Sequence, residues 1–431
     1  MKIAFFKRNI TPEVGTMVAG YDFSSVSRCI GDDLYMSGLC LDDGTRKALI
    51  LSFDLLALDG WYVKKIRSAC AGILQTEPEY ILLSCTHTHS GPEAATPLAP
   101  NHDKLNVAFT GKLEQMILEE TRKLSSFREC SVTFYSSACN ENRNRRYVTA
   151  DNAASFTPHR RELVPLVNSF TDQELGQLCF FDRETGAPLY VLGNYAAHPL
   201  AGHAPGLGAL RISADFPGYF RNYITAETGA EAMYISGACG NLVPREDELG
   251  SEAARGMGIR LAQAAIGGMI DSRRNPNRFT IADSRLGAKI KTFTVPIRKK
   301  FADRVPPEYK GKPDVTLEVQ LLSVGDICFA GMPGEVCAEL GAEIKWHSPF
   351  KKAFVAYYAT SDFSYMAPAN FLVSGGYEGS AQQFGAMGGF ELVRSAVEGM
   401  FELRQEIFPD APGEEPYPDR LSQPLVDLPV N

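Results

Sequence analysis

The chain has 431 residues, 45% of them hydrophobic and 22% charged, with a formal net charge of -8. That composition supplies a large core and excludes disordered, fibrous and helical membrane-spanning classes, since no apolar stretch approaches the roughly 18 to 20 residues that cross a bilayer. The acidic balance also argues against a nucleic-acid or anionic-membrane binder, which needs a basic surface.

The amino terminus, "MKIAFFKRNITPEVG", has one short apolar run broken by Lys7 and Arg8 and no cleavage-site pattern, so no export signal is predicted. The ten cysteines are scattered without a C-x-x-C pair. A cytoplasmic protein with buried thiols, and without disulfides or thiolate zinc, is therefore expected. Downstream, short apolar runs alternate with helix-period segments, which predicts an α/β fold: a mixed β-sheet core flanked by helices, with the active site at the C-terminal ends of strands. Strands are predicted at "KALILSF" (47–53), "EYILLSC" (79–85), "PLYVLGNY" (188–195), "AMYISG" (232–237) and "AFVAYYA" (353–359). "EVQLLSVGDICFAG" predicts a hairpin around Gly325. Helices are predicted at "GWYVKKIRSACAGIL", "RGMGIRLAQAAIGGMI", "GEVCAELGAEIKW" and "GGFELVRSAVEGMFELRQEI". Segment 140–187, which contains "NENRNRRYV" and "TPHRRELVP", is polar and poorly periodic and reads as loop. One catalytic domain is expected over residues 1–408, with the Pro-rich stretch 409–431 as an extension lying on the surface or on a partner.

Chemistry-bearing residues gather at predicted strand ends. "LLSCTHTHSGP" places His87 and His89 two apart after an apolar run, so in an extended segment both face one space, one able to take a metal and the other a proton. "NYAAHPL" delivers His198, and "GMPGE" after the hairpin delivers Glu335. Singly, each has a structural explanation: hydrogen-bonded histidines at a strand end, a His-Pro turn, and a glutamate favoured by the dipole of a helix it opens. Together they sit where α/β sheets bind ligands, and two imidazoles plus a carboxylate form a zinc set with a position left for water or substrate. The separations are too long for a local finger. H-x-H also occurs in two-metal barrel hydrolases and in the metallo-β-lactamase fold, but the latter wants Asp and His next, and Ser90, Gly91 and Pro92 stand there. G-x-S-x-G, the phosphate loop and the dinucleotide fingerprint are missing as well.

These residues also carry a family resemblance. "CTHTHSGP" (85–92) resembles the T-H-T-H-S-G-P signature of the neutral, non-lysosomal ceramidases, zinc-dependent amidases that cleave the N-acyl bond of ceramide. "ITPEVGTMVAGY", "NYAAHPL", "GACGNLVP", "MPGE" and "GGYEGS" resemble the family's other motifs in the same order over nearly the whole chain. The resemblance implies a Zn2+ ion held by His87, His198, Glu335 and a tyrosine twelve residues before that of Y-E-G, which is Tyr365. It further implies His89 as proton shuttle, Tyr377 as a second active-site tyrosine, and an arginine best matched by Arg143, with Arg145 as its rival. The substrate would be a small-molecule or lipid-like N-acyl compound, cleaved as an amide or, on the same scaffold, as an ester or lactone. A non-catalytic metal- or lipid-binding relative is the remaining reading, and homo-oligomerisation is left open. The family's catalytic domain alone is expected here, without its C-terminal immunoglobulin-like domain, and the sequence departs from the family in "EAATPLAP" after the signature and in "MAPANFLVSGG" between the tyrosines. The last two segments would border the substrate, which points away from long-chain ceramide.

Overall fold

The computed structural model describes residues 1–20, 25–95, 107–148, 154–155, 167–168, 170–202, 210–245, 249–303, 305 and 309–410. The predicted extension lies outside the described residues from 411 onward, as does most of 149–166. Eight strands form the larger sheet: β1 (Lys2–Asn9), β2 (Tyr35–Asp42), β3 (Lys47–Phe53), β4 (Ile81–Cys85), β5 (Arg128–Ala138), β6 (Glu174–Asp182), β7 (Pro188–Tyr195) and β8 (Glu231–Ser236). Their spatial order is β8-β7-β6-β5-β1-β2-β3-β4. A second sheet has β9 (Leu286–Pro296), β10 (Asp314–Val324), β11 (Ile327–Gly331) and β12 (Lys352–Ala356), in that order. The main helices are α1 (Gly60–Leu74), α2 (Val107–Lys123), α3 (Asp215–Thr228), α4 (Ser251–Arg274), α5 (Ala338–Trp346) and α6 (Gly388–Ile407).

Within these two sheets most neighbouring strands run antiparallel, but three pairs are parallel: β3 with β4, β7 with β8, and β11 with β12. A parallel pair needs a crossover, and the three are supplied by α1, α3 and α5. Side-chain alternation then sets four layers. Leu49, Leu51 and Phe53 of β3 pack beneath Tyr62, Val63 and Ile66 of α1, while the intervening Ala48 and Ile50 join Phe329 and Phe354 of the second sheet. In β10, Leu317, Val319 and Leu321 meet Leu392, Ala396 and Met400 of α6, and Leu322 and Val324 turn into the space between the sheets. Each Leu, Val, Ile, Phe or Met among them contributes about 1.5–3 kcal/mol when taken out of water. The sheets approach closely at Gly176 of β6, where an added Cβ would overlap the Phe354 ring.

Several expectations need correction. Segment 140–187 contains a long strand, β6, at the heart of the larger sheet. β6 is buried on both faces, so Gly176 and Gln177 interrupt the pattern that marks half-exposed strands, and Gln177 donates through Nε2 to the Ala265 carbonyl. The strand predicted over 353–359 ends at Ala356, because Tyr358 adopts a left-handed backbone (φ 45°). The helix predicted from Gly334 begins at Ala338, so Glu335 does not open it. All ten cysteines are free and nine are buried. Among the described residues, no helix is long and apolar enough to cross a membrane.

Glu174 of β6 ties the two sheets and α5 together by pairing with Lys345 and Lys352, each at 2.6 Å. Burial works against its charge, but the two lysines lower its pKa from 4.5 to about 2. A depressed carboxylate stabilises fully above the unfolded value and stops doing so as pH falls through the folded one. Glu174→Gln should therefore cost about 2 kcal/mol at pH 7, and denaturant titrations at falling pH should show the gap from the parent closing between pH 4.5 and 2.

Candidate metal centre

All three crossover units aim their C-terminal ends at one place. Beyond β4, the chain keeps pairing past the strand, with His87 N donating to Leu55 O at 2.9 Å. His87 has a left-handed backbone (φ 67°), uncommon for a residue with a side chain, and its ring lies flat on Tyr358 at 4.8 Å between centroids. Beyond β7, His198 is buried completely. Each of three imidazoles meets main-chain carbonyls through Nδ1: His87 with Leu56 O (3.0 Å), His89 with Gly20 O (3.1 Å), His198 with Cys239 O (2.6 Å) and Leu242 O (3.1 Å). A carbonyl only accepts, so Nδ1 carries the hydrogen and each Nε2 presents a lone pair. Those of His87 and His89 stand 3.2 Å apart, and ligand atoms of all three residues lie within 4.8 Å of one another.

Glu335 reaches the same space from the connection after β11. It sits in a two-residue strand, Glu335–Val336, paired in parallel with Tyr365–Met366 so that Glu335 and Tyr365 are opposite each other. Its Oε2 is 3.3 Å from His198 Nε2 and 3.7 Å from His87 Nε2, and accepts a hydrogen bond from Tyr357 Oη at 3.1 Å. Burial opposes the Glu335 charge, yet His198, His87 and Tyr365 hold it below the usual carboxylate range. Burial also lowers His87 from 6.5 to about 3, against the pull of Glu335, and lowers His89. Neutral His87 and His89 thus converge with an ionised carboxylate, and His198 Nε2 is buried without a hydrogen-bond partner. Two donors each about 2.0–2.1 Å from a tetrahedral zinc lie roughly 3.3 Å apart, so the observed spacings suit a cation of that kind. The sequence set His89 beside such an ion as an unligated base; its Nε2 is as near His87 as a second ligand would be.

Around this core lies a buried polar shell. Arg145 donates through Nη2 to Tyr365 Oη (3.0 Å) and Gly240 O (2.8 Å), and through Nε to Glu378 Oε1 (2.8 Å). Its guanidinium also stands 5.3 Å from the ring of Tyr377, which packs edge-on against Tyr365. Tyr365 is raised well above 10 by burial and by Glu335, with Arg145 opposing. Tyr377 remains about half exposed, at 48%. Arg143 lies in the short strand Asn142–Asn144, opposite Val243, with its side chain partly buried. Among the described residues, five that are not glycine have positive φ, and three of them, His87, Tyr358 and Ser364, adjoin this site. Strain of that sort concentrates where a structure overdetermines geometry for a task. Sequence reasoning missed Tyr357, Tyr358 and Glu378 as site residues. Glu378 stands inside the quoted "GGYEGS", whereas nothing local distinguishes the two tyrosines from core aromatics.

No protein-family model and no curated protein matches the sequence. By structure the chain is similar to the neutral ceramidase from Pseudomonas aeruginosa, with a TM-score of 0.76 at 16% identity over 94% of this chain and 74% of that one. A ceramidase complexed with C2 gives the same score and identity over 94% and 75% of the two chains.

Glu378 and Arg145 are 2% and 5% exposed, so their pair is out of water. Removing one member of a buried pair strands the other and costs about 3–5 kcal/mol. Glu378→Ala should lower unfolding stability by that amount in a denaturant titration, and a loss below about 1 kcal/mol would contradict the burial argument.

Proposed function

We propose that this chain, whose fold is that of the neutral ceramidases, is a zinc-dependent hydrolase that cleaves an N-acyl bond with activated water, on a substrate other than long-chain ceramide. The observation that carries the reading is the convergence of His87 Nε2 with His89 Nε2 at 3.2 Å and of His198 Nε2 with Glu335 Oε2 at 3.3 Å, separations that a shared cation would bridge. His87, His198 and Glu335 would hold the ion, with Tyr365 opposite Glu335 completing the set. A zinc ion supplies Lewis acidity there, polarising a carbonyl and lowering the pKa of water from about 15.7 toward 7.

The chain's own residues divide the remaining work. His89, its Nδ1 hydrogen held by the Gly20 carbonyl, would use its Nε2 lone pair to take a proton from the attacking water and return it to the leaving amine. Tyr377 would donate a hydrogen bond to the oxyanion as the carbonyl becomes tetrahedral. Of the two candidates among the three arginines in "NRNRR" we assign this stabilising role to Arg145, in preference to Arg143, because Arg145 contacts both Tyr365 and Tyr377. Glu378 would keep that guanidinium aimed. The departures in "EAATPLAP" and "MAPANFLVSGG" support a substrate unlike that of the ceramidases, since the second runs from Met366 to Gly376 between the two site tyrosines.

The test is hydrolysis by the zinc-loaded protein of paired p-nitroanilides and p-nitrophenyl esters bearing the same short acyl group, with long-chain ceramide alongside. Cleavage of the anilide, abolished by chelation and restored by zinc, is expected; ester cleavage alone would move the assignment to an esterase, and inert anilides and esters would sink the hydrolase reading. His89→Ala should retain one metal per chain while kcat falls about 10²–10⁴-fold, the usual worth of a positioned acid–base group. Loss of the metal in that variant would make His89 a ligand.

A further inference from the structure

We propose that Gly20 is the positioning residue of this site: its carbonyl sets the tautomer of His89, and its missing side chain is the space in which the His89 ring stands. For its catalytic consequence the inference rests on the reading of His89 given above.

Gly20 ends a segment laced onto the chain just after the histidines. Ala19 N donates to Gly91 O (3.0 Å), Glu93 N donates to Met17 O (3.1 Å), and Val18 bridges Pro92 in antiparallel fashion. With both strands of this contact fixed, the Gly20 carbonyl is held where His89 Nδ1 must donate to it. The backbone of Gly20 is left-handed (φ 90°), and a Cβ built on it would overlap His89 Nδ1 and lie 2.9 Å from Cγ and 3.0 Å from Cε1. The obstacle is a ring held between Gly20 and the other imidazoles, so it cannot yield without leaving the Gly20 carbonyl or the His87 ring. His87 and His198 rings stand 4.8 Å and 5.7 Å away on its far side. A side chain at position 20 would push the imidazole off its acceptor. Once the Gly20 carbonyl no longer claims the Nδ1 hydrogen, the other tautomer becomes available, and it presents a hydrogen where the site needs a lone pair.

The same segment contains its own control. Gly15 has nearly the same backbone angle (φ 95°), and a Cβ there meets nothing within 4 Å. Gly15→Ala thus carries the left-handed penalty without the collision. Melting temperatures of the metal-free protein are compared for Gly15→Ala, Gly20→Ala, His89→Ala and the Gly20→Ala/His89→Ala double variant, and histidine side-chain 15N spectra are recorded for those that keep His89. The expected result is that Gly20→Ala melts several degrees below Gly15→Ala, that this excess vanishes once His89 is alanine, and that His89 is an Nδ1–H tautomer in the parent and in Gly15→Ala but not in Gly20→Ala. If Gly20→Ala does not fold, recovery of folding in the double variant supports the proposal, and an unfolded double variant overturns it. An excess that persists without the imidazole, or an unchanged His89 tautomer, overturns it too. With zinc and the p-nitroanilide, Gly20→Ala should lower kcat at least about tenfold with KM unchanged. Inactivity of the parent would count against the hydrolase reading and leave the melting and spectral results to decide the role of Gly20.

Discussion

The site depends on a constraint that is simple to state: main-chain carbonyls cannot donate. Leu56, Gly20 and Cys239 each present a carbonyl oxygen to an imidazole Nδ1, and so each obliges the opposite nitrogen to face inward bare. Burial keeps His87 and His89 neutral, and a buried carboxylate, Glu335, is kept charged beside them. A buried cluster rich in acceptors is unstable by itself and well suited to a cation. The positive φ at His87 and at Ser364, which precedes Tyr365, falls in the segments that deliver side chains to this site.

That constraint can be met only because two sheets deliver their strand ends together. The three parallel crossovers bring His87, His198 and Glu335 to neighbouring C-terminal edges, the region where open α/β sheets accommodate ligands. Buried polar side chains pin those edges to one another. Ser84 donates to Tyr357 O (2.8 Å), Ser236 to Thr86 O (2.7 Å), and Asn194 to both Ile235 O (3.0 Å) and Val355 O (2.9 Å). These bonds cross between β4, β7, β8 and the end of β12. They occupy carbonyls that the strand ends would otherwise leave unsatisfied, and they fix the spacing between sheets to which the imidazoles are anchored.

Outside the nitrogens runs a chain of contacts, Glu378 to Arg145 to Tyr365 to Glu335, in which each group restrains the next. The side chains of Glu378, Arg145 and Tyr365 are buried, so the electrostatic interactions among them are stronger than they would be in water. A phenol between a guanidinium and a carboxylate has its orientation dictated from both sides. Tyr377, packed against Tyr365 and the Arg145 guanidinium, is half exposed.

By itself the sequence determined much of the local plan. Strands β3 and β7 and helices α1 and α6 are legible to the residue from their apolar patterns, and the hairpin of β10 and β11 from its turn at Gly325. His87, His89, His198 and Glu335 stand out because strand ends carrying histidines or a carboxylate are chemically conspicuous. β6 was hidden, since burial on both faces erases the alternation that betrays a strand. Tyr365 was reachable only through a family spacing, and the choice between Arg143 and Arg145 was open, because neither residue type nor local pattern reports what a side chain meets a hundred residues away. Which nitrogen of each imidazole bears its hydrogen, which arginine reaches the tyrosines, and how near Glu335 comes to His198 are decided by contacts between segments distant in the chain. Those contacts exist only after both sheets have packed, and so only the tertiary structure could decide them.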